Sequence, residues 1–570
     1  MSRPRVPASS AGPWAVAPWL TVALFLLPVL SGLIGTLLPA FGYLPALGSE
    51  HFSLASWHAL FEQPGVVTAV RLSAQTGVLA TALSLGVAAS FCALACELAF
   101  YRRIASLVSP MLAMPHVAVA IGLAFLIAPS GWLFRLVSPA LTGWDRPPAD
   151  LITVRDPLGL AMVMGLVLKE VPYLILMITA ALRQVPHEAL RRSGAALGYR
   201  PATAWFKLVL PLVYGQLRLP VYAVLAFSLS TVEVALILAP GNPPPLAVLA
   251  ARWFADYDLQ RYFPAAAAAI LQLLLVLVAL ALWRVGEAMS AVIGRRWCER
   301  GQRGGASVPM ASVGAGLGTL ALLLGGAALL GMAVWSFALT WRFPDLLPDR
   351  WTLATWSLQG PRVADSVLTT LGLAVFSAFV AVSLAIACLE NETRRGHAPT
   401  SRALWLIYLP LLVPQIAFLY GFQVMLVRLD LDGRWLAVAW SHLVFVLPYV
   451  FLSLADPWRA LDPRYARSAS SLGASPSAVL WRVRMPMLLR SVMLAFAIGC
   501  GVSVGLYLPT LFAGAGRIAT LTTEAVTLSS GADRRVMGVY AFLQAAIPLL
   551  AYGLAWALPA ALFARRKVMA

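Results

Sequence analysis

Residues 192–211 read RSGAALGYRPATAWFKLVLP, and residues 467–486 read RSASSLGASPSAVLWRVRMP. The two stretches align without a gap, 275 positions apart. Arg192 falls on Arg467, Ser193 on Ser468, Ala195 on Ser470, Gly198 on Gly473, Pro201 on Pro476 and Pro211 on Pro486. A match held at a fixed offset marks two copies of one structural unit. The offset persists downstream, where Leu246 meets Leu521 and Ala250 meets Ala525. Upstream, after small insertions, Pro172-Tyr173 corresponds to Pro448-Tyr449, and Pro115 and Gly122 to Pro414 and Gly421.

The residue types in this repeat specify local geometry. Residues 187–197 and 464–472 are rich in Ala, Leu and Arg and favour helix. Gly198 and Gly473 follow, suited to the left-handed conformation that satisfies a helix's last carbonyls. Pro201 and Pro476 suit the first turn of a second helix, where a missing N–H is harmless. Ser475 is a good N-cap for it. The second helix carries Trp205 and Phe206 in one copy and Trp481 in the other, and is expected to end near Pro211 or Pro486. A rigid bent element with an exposed aromatic suits docking into a pocket of a soluble partner. Two such elements imply a two-fold partner.

The surroundings of the repeat are apolar. The 570 residues are 60% hydrophobic and 12% charged, against roughly a quarter charged in soluble domains. Such a chain has lipid for part of its solvent. With about 20 residues per crossing, the spans fall at 13–38, 74–99, 107–129, 158–182, 214–240, 263–285, 311–341, 366–389, 403–427, 437–456, 489–513 and 538–563. This is an all-α polytopic membrane protein of about twelve helices. Residues 1–285 form a first six-helix unit, 286–310 a basic cytoplasmic linker read as a solvated connector, and 311–570 a second unit. Both units begin on the same side, so the repeats are parallel. The net charge of +18 concentrates on loops of one side, as topology-setting charge does, and no basic patch reads as a nucleic-acid surface. The apolar run after Ser2-Arg3-Pro4-Arg5 is too long for a cleaved signal and reads as the first span.

The duplicated glycine–proline loop resembles the loop signature of binding-protein-dependent ABC importer permeases. It is closest to fused double permeases of the iron(III) and thiamine type. The resemblance implies a pore-forming, multi-pass protein of the inner (cytoplasmic) membrane, working with two ATPase subunits and a periplasmic or extracellular solute-binding protein. It also implies that the second helix of each loop is a coupling helix seated in an ATPase groove, with ATP and Mg bound by that partner and no cofactor in this chain. The family's Glu-Ala-Ala motif stands here as Arg192-Ser193-Gly194 and Arg467-Ser468-Ala469. This inversion of charge predicts a cognate ATPase that presents acid or backbone carbonyls.

Other chemistry is excluded or narrowed. The chain has only Lys169, Lys207 and Lys567, none after a glycine, so no phosphate-binding P-loop is encoded. No nucleophile–base constellation shares a polar loop, and the chain is read as non-catalytic. Cys92 and Cys96 share a helix face but lack His or carboxylate companions for a metal site. His116, beside Pro115, reads as a packed or interfacial group. Lys169, Glu170 and Glu233 lie within spans, where ionisable groups face a cavity or each other. They line the translocation path or form a buried Lys–Glu pair, and the second half has Leu447 and Leu508 near their places. The rival function is an ion-coupled secondary carrier using Glu170 or Glu233, but a carrier has no need of the duplicated loop. A third reading is a non-transporting membrane scaffold that uses the same docking loops.

Overall fold

The structure is a computed structural model that describes residues 13–96, 98–105, 108–305, 307–396, 401–531 and 533–563. The basic segment Ser2–Arg5 and Lys567 lie outside the described residues. In lipid every backbone polar group needs an internal partner, and helices supply one within each segment. The first half contributes α1 (Ala17–Ala40), α2 (Val66–Ala95), α3 (His116–Ile127), α4 (Leu160–Leu182), α5 (Leu210–Ser230) and α6 (Tyr262–Glu299). The second contributes α7 (Ser307–Phe337), α8 (Ala354–Arg395), α9 (Ile416–Arg428), α10 (Trp435–Ala460), α11 (Met485–Gly505) and α12 (Arg534–Phe563). Among the described residues 11 helices are long and apolar enough to cross a membrane, or 12 with the bent pair Leu406–Leu412 and Ile416–Arg428. The strands are a short ribbon, Ala338–Thr340 with Arg350–Trp351.

Within each half, α2 packs on α4 and α5, and α8 on α10 and α11. The two-fold relation extends to single hydrogen bonds. The Leu246 N–H donates to Ser73 Oγ, and its counterpart Leu521 N–H donates to Thr370 Oγ1, both at 2.9 Å. The first helix of each half, however, packs on the other half: α1 on α9, and α7 on α2 and α3. Glycine permits that approach. A Cβ on Gly421 would lie 2.1 Å from the Gly32 carbonyl oxygen, and one on Gly122 would lie 2.7 Å from the Ala328 Cβ. Small residues let membrane helices touch backbone to backbone. Gly122 and Gly421 are the pair matched in the repeat, so the crossing is itself two-fold.

Four expected spans are not continuous. The third breaks at Met114-Pro115, between Val108–Ala113 and α3, with Pro115 in extended backbone. The ninth turns by 104° at the matching proline, Pro414. Proline forbids the helical conformation to its predecessor and lacks the N–H that would continue the ladder. The fifth and eleventh spans break where Thr231 and Leu506 become extended, before the short helices Glu233–Leu238 and Leu508–Ala513. Hydropathy reports apolar composition alone, so these breaks escaped it. Irregular backbone survives at membrane depth where it is buried in protein or lines a cavity.

The linker also differs from expectation. α6 runs as helix to Glu299, and α7 starts at Ser307. What lies between is mostly exposed, and it also accepts hydrogen bonds from the first copy of the repeat at Gln302 and Arg303.

Candidate functional site

The two copies of the repeat fold alike. His187–Ala196 and Pro463–Ser471 are helices. Gly198 (φ +79°) and Gly473 (φ +82°) are left-handed, as their position requires. The Gly198 N–H donates to the Ala195 carbonyl and the Tyr199 N–H to that of Gly194, each at 2.9 Å. In the second copy Gly473 donates to Ser470 (3.0 Å) and Ala474 to Ala469 (3.1 Å). This pair of bonds is the Schellman closure of a helix end. The second helices then start at Pro201 and Pro476, and Ser475 Oγ accepts from the Ala478 N–H at 3.3 Å.

The second helix does not end near Pro211 or Pro486. In both copies it passes through a π-helical turn, Trp205–Val209 or Leu480–Arg484, directly into α5 or α11. A wider turn accommodates the proline that follows, whose ring clashes with the carbonyl four residues earlier in a regular helix. The short second helix and the membrane span are therefore continuous.

The motif side chains stand outward. Arg192, Ser193, Ala195 and Pro201 are exposed, as are Arg467, Ser468, Ser470 and Pro476. Arg192 pairs with Glu188 at 3.5 Å on an open surface. The aromatics differ from expectation in one copy: Trp205 is 1% exposed and belongs to the core, whereas Trp481 is 59% exposed. The aligned partner of Trp205 is Leu480, also buried. Phe206, half-buried, is the true counterpart of Trp481.

The supports of the two elements are unrelated. Lys207 Nζ donates to the carbonyls of Trp297 (2.9 Å) and Gln302 (2.8 Å) in the linker. It also lies over the Tyr199 and Trp297 rings. The Arg200 N–H donates to the Arg303 carbonyl at 2.9 Å, and Thr203 Oγ1 and Ser307 Oγ share a hydrogen bond at 2.7 Å. The second element is held by Glu390 at the end of α8, which is 2% exposed and pairs with Arg394 and Arg484. Neither support was anticipated from the sequence. Lys207 offered a signal, as a lone lysine within an apolar helix end.

Inside the membrane, Lys169 and Glu170 turn to different partners. Lys169 Nζ donates to the carbonyls of Met111 (3.3 Å), Leu112 (2.8 Å) and Met114 (2.6 Å), closing the helix end before Pro115. Cations favour helix C-termini for this reason. Glu170 instead meets His116, with Nε2 and Oε1 3.4 Å apart, and the His116 ring packs 4.4 Å from that of Phe227. Glu233 opens the short helix after the α5 break and lies within electrostatic reach of His116. Tyr173 of α4 and Tyr449 of α10 both lie near Glu170. Their recurrence in the repeat, as Pro-Tyr, was the available signal.

No family model matches the chain. It is 31% identical over 545 residues to the inner membrane ABC transporter permease protein YnjC of Escherichia coli (strain K12), covering 94% of each chain. Over 188 residues it is 30% identical to the molybdenum transport system permease protein ModB of Mycobacterium tuberculosis (strain ATCC 25618 / H37Rv), covering 31% of this chain and 70% of that one. Over 127 residues it is 30% identical to the spermidine/putrescine transport system permease protein PotC of Escherichia coli (strain K12), covering 22% of this chain and 47% of that one. With a duplicated, membrane-continuous helical element and a full-length relative of this kind, the chain belongs to the inner-membrane ABC transporter permeases, as a pore-forming subunit carrying both halves of the pore.

Proposed function

We propose that this permease passes a small solute, delivered by an external solute-binding protein, through the interface between its halves. Two copies of a separate ATPase drive it, one on each coupling element, and that partner binds ATP and Mg. The duplicated helix, glycine corner and π-turn carries this reading, because it gives two rigid contacts of one design, each fused to a span. Closure of the ATPase pair draws Pro201–Ala204 and Pro476–Val479 together and rotates α5 and α11 with them. The exchange of α1 and α7 between halves makes that rotation concerted, since neither half moves without the other's first helix. Alternating access follows from the two rotated states.

The solute is not inherited by name, because one relative is named for molybdenum and another for spermidine and putrescine. The exposed Arg192 and Arg467 favour an ATPase surface that presents acid or carbonyls where they dock. The test is capture of the detergent-solubilised chain from native membranes, comparing wild type with a Gly198→Asp, Gly473→Asp double variant of equal expression. Recovery of an ATPase by wild type alone supports the reading. A folded wild type that recovers no ATPase refutes it and leaves the ion-coupled carrier, with Glu170 and Glu233 as the groups to probe.

A further inference from the structure

We propose that His442 is a positioning residue for transport: it locks the break of α11, so that the pathway opens and closes by movement at the break of α5. The inference goes beyond the importer reading, which treats the two halves alike, and it rests on that reading only for its response to ATP.

The two breaks are related by the same offset as the loops. Ser228 falls on Ser503, Leu229 on Val504 and Ala235 on Thr510. The far ends of the short helices Glu233–Leu238 and Leu508–Ala513 are fastened alike. The Arg155 N–H donates to the Leu238 carbonyl at 3.1 Å, and the Gly433 N–H donates to the matching Ala513 carbonyl at 3.0 Å.

The near ends differ. His442 of α10 is 2% exposed. Its Nδ1 lies 2.7 Å from Ser503 Oγ, before the break, and its Nε2 lies 2.9 Å from Thr510 Oγ1, beyond it. The Thr510 hydroxyl donates to the Leu506 carbonyl at 2.8 Å. It therefore accepts from Nε2–H, and Nδ1 accepts from the Ser503 hydroxyl. One ring, with both nitrogens spent, fixes the angle between α11 and the short helix that follows. The Val504 carbonyl, left over at the helix end, accepts from the Thr522 hydroxyl, and Gln544 Nε2 donates to Thr522 Oγ1 at 2.6 Å.

The first half lacks this bridge. Counted from the matched Pro-Tyr pairs, the place of His442 is taken by Leu166, and Ala235 stands where Thr510 does. Ser228 keeps its hydroxyl, fully buried, but without a hydrogen-bond partner. Among the described residues one side chain of another element bonds to residues 227–235: Gln272 Nε2 donates to the Leu229 carbonyl at 3.1 Å. A buried network whose members are satisfied rigidifies what it joins, and a segment with fewer ties opens locally at lower free energy. The α5 break is the hinge, and the α11 break is the fixed edge against which it moves.

The experiment uses the full chain in lipid nanodiscs. Leu236→Cys and Leu511→Cys put thiols at matching, half-buried positions of the two short helices. Both are made in a Cys298→Ser background, because Cys298 is an exposed thiol. The rate of labelling by N-ethylmaleimide is read at each. His442→Leu should speed labelling at Leu511→Cys about fivefold or more, as the loss of two hydrogen bonds implies, and leave Leu236→Cys unchanged. His442→Gln, which can still accept and donate, should keep labelling slow. Leu166→His with Ala235→Thr, which gives Ser228 a partner, should slow labelling at Leu236→Cys. In the chain captured with its ATPase, ATP with vanadate should change labelling at Leu236→Cys but not at Leu511→Cys, and His442→Leu should let both respond. A merely structural histidine would lower the unfolding midpoint without separating the two sites. If His442→Leu misfolds, Ser503→Ala and Thr510→Val, read separately, each remove one bond of the ring and carry the test. Equal responses to ATP at both sites in wild type, or labelling at Leu511→Cys that ignores these variants, overturns the proposal. Failure to recover an ATPase sinks the ATP-driven reading, while the nucleotide-free rates still uphold or overturn the lock.

Discussion

The two coupling elements share a backbone to the hydrogen bond but not a foundation. The first is clamped by the linker that joins the halves, through Lys207, Arg200 and Thr203. The second stands against the ion cluster of Glu390, Arg394 and Arg484, and its tip is open: Leu472 is 89% exposed, and a Cβ on Gly473 would meet nothing within 4 Å. At Gly198 the same Cβ would come 3.4 Å from Arg303. The bent element keeps one backbone in both copies. Fusion then gave the first copy a neighbour that the second lacks, because only one linker exists.

The comparison breaks most visibly at the second helix. Trp205→Ala removes a fully buried ring and should destabilise the chain by about 3–5 kcal/mol. Trp481→Ala removes an exposed ring and should leave the unfolding midpoint unchanged while lowering ATPase capture. Equal loss of midpoint in both variants would erase the asymmetry. Lys207→Met strips two charge-assisted bonds, each worth about 1.5–3 kcal/mol. Trypsin should then cut at Arg300 and Arg303 faster than in wild type, and Arg482→Met at the aligned position should leave that cleavage alone.

Gly473→Ala isolates backbone strain, about 1–2 kcal/mol for a side chain in the left-handed region, with no clash to confuse it. Gly198→Ala should cost about the same, since its Cβ would only touch Arg303 at 3.4 Å, and the pair is compared by thermal unfolding. Ser475→Ala should cost about 1 kcal/mol as a lost N-cap, an effect Arg200 cannot mirror, since its side chain makes no cap. Arg192→Glu, on an open surface, should shift stability within about 0.5 kcal/mol. Its expected effect is weaker ATPase capture at low salt, and unchanged capture would remove the charge-inverted docking surface from the proposal.

Much of the site was legible because it depends on short-range rules. The glycine corners, the proline starts and the Ser475 cap are decided within a few residues, and the structure places all of them as the spacing required. The continuity through Pro211 and Pro486 was not legible, since proline disfavours a helix interior and a π-turn here absorbs it. That choice depends on packing of Trp205 and Leu480 in the core. The intramembrane groups were found, but not their partners. Adjacent Lys169 and Glu170 invite a pair, yet successive residues on a helix point about 100° apart, and each found its partner on another segment.

The amino-acid sequence by itself determined the membrane solvent, the all-α architecture, the parallel duplication and the form of both coupling elements. These follow from composition, periodicity and local backbone preference, which need no knowledge of distant neighbours. Only the tertiary structure decided that α1 and α7 change places, that the linker hydrogen-bonds to one element, that four spans break, and that Lys169 and Glu170 take different partners. Those outcomes depend on which surfaces meet across hundreds of residues. Apolar helices in lipid carry little in their composition to say which neighbour each will take, because lipid and leucine are equally apolar solvents and shape alone selects the partner.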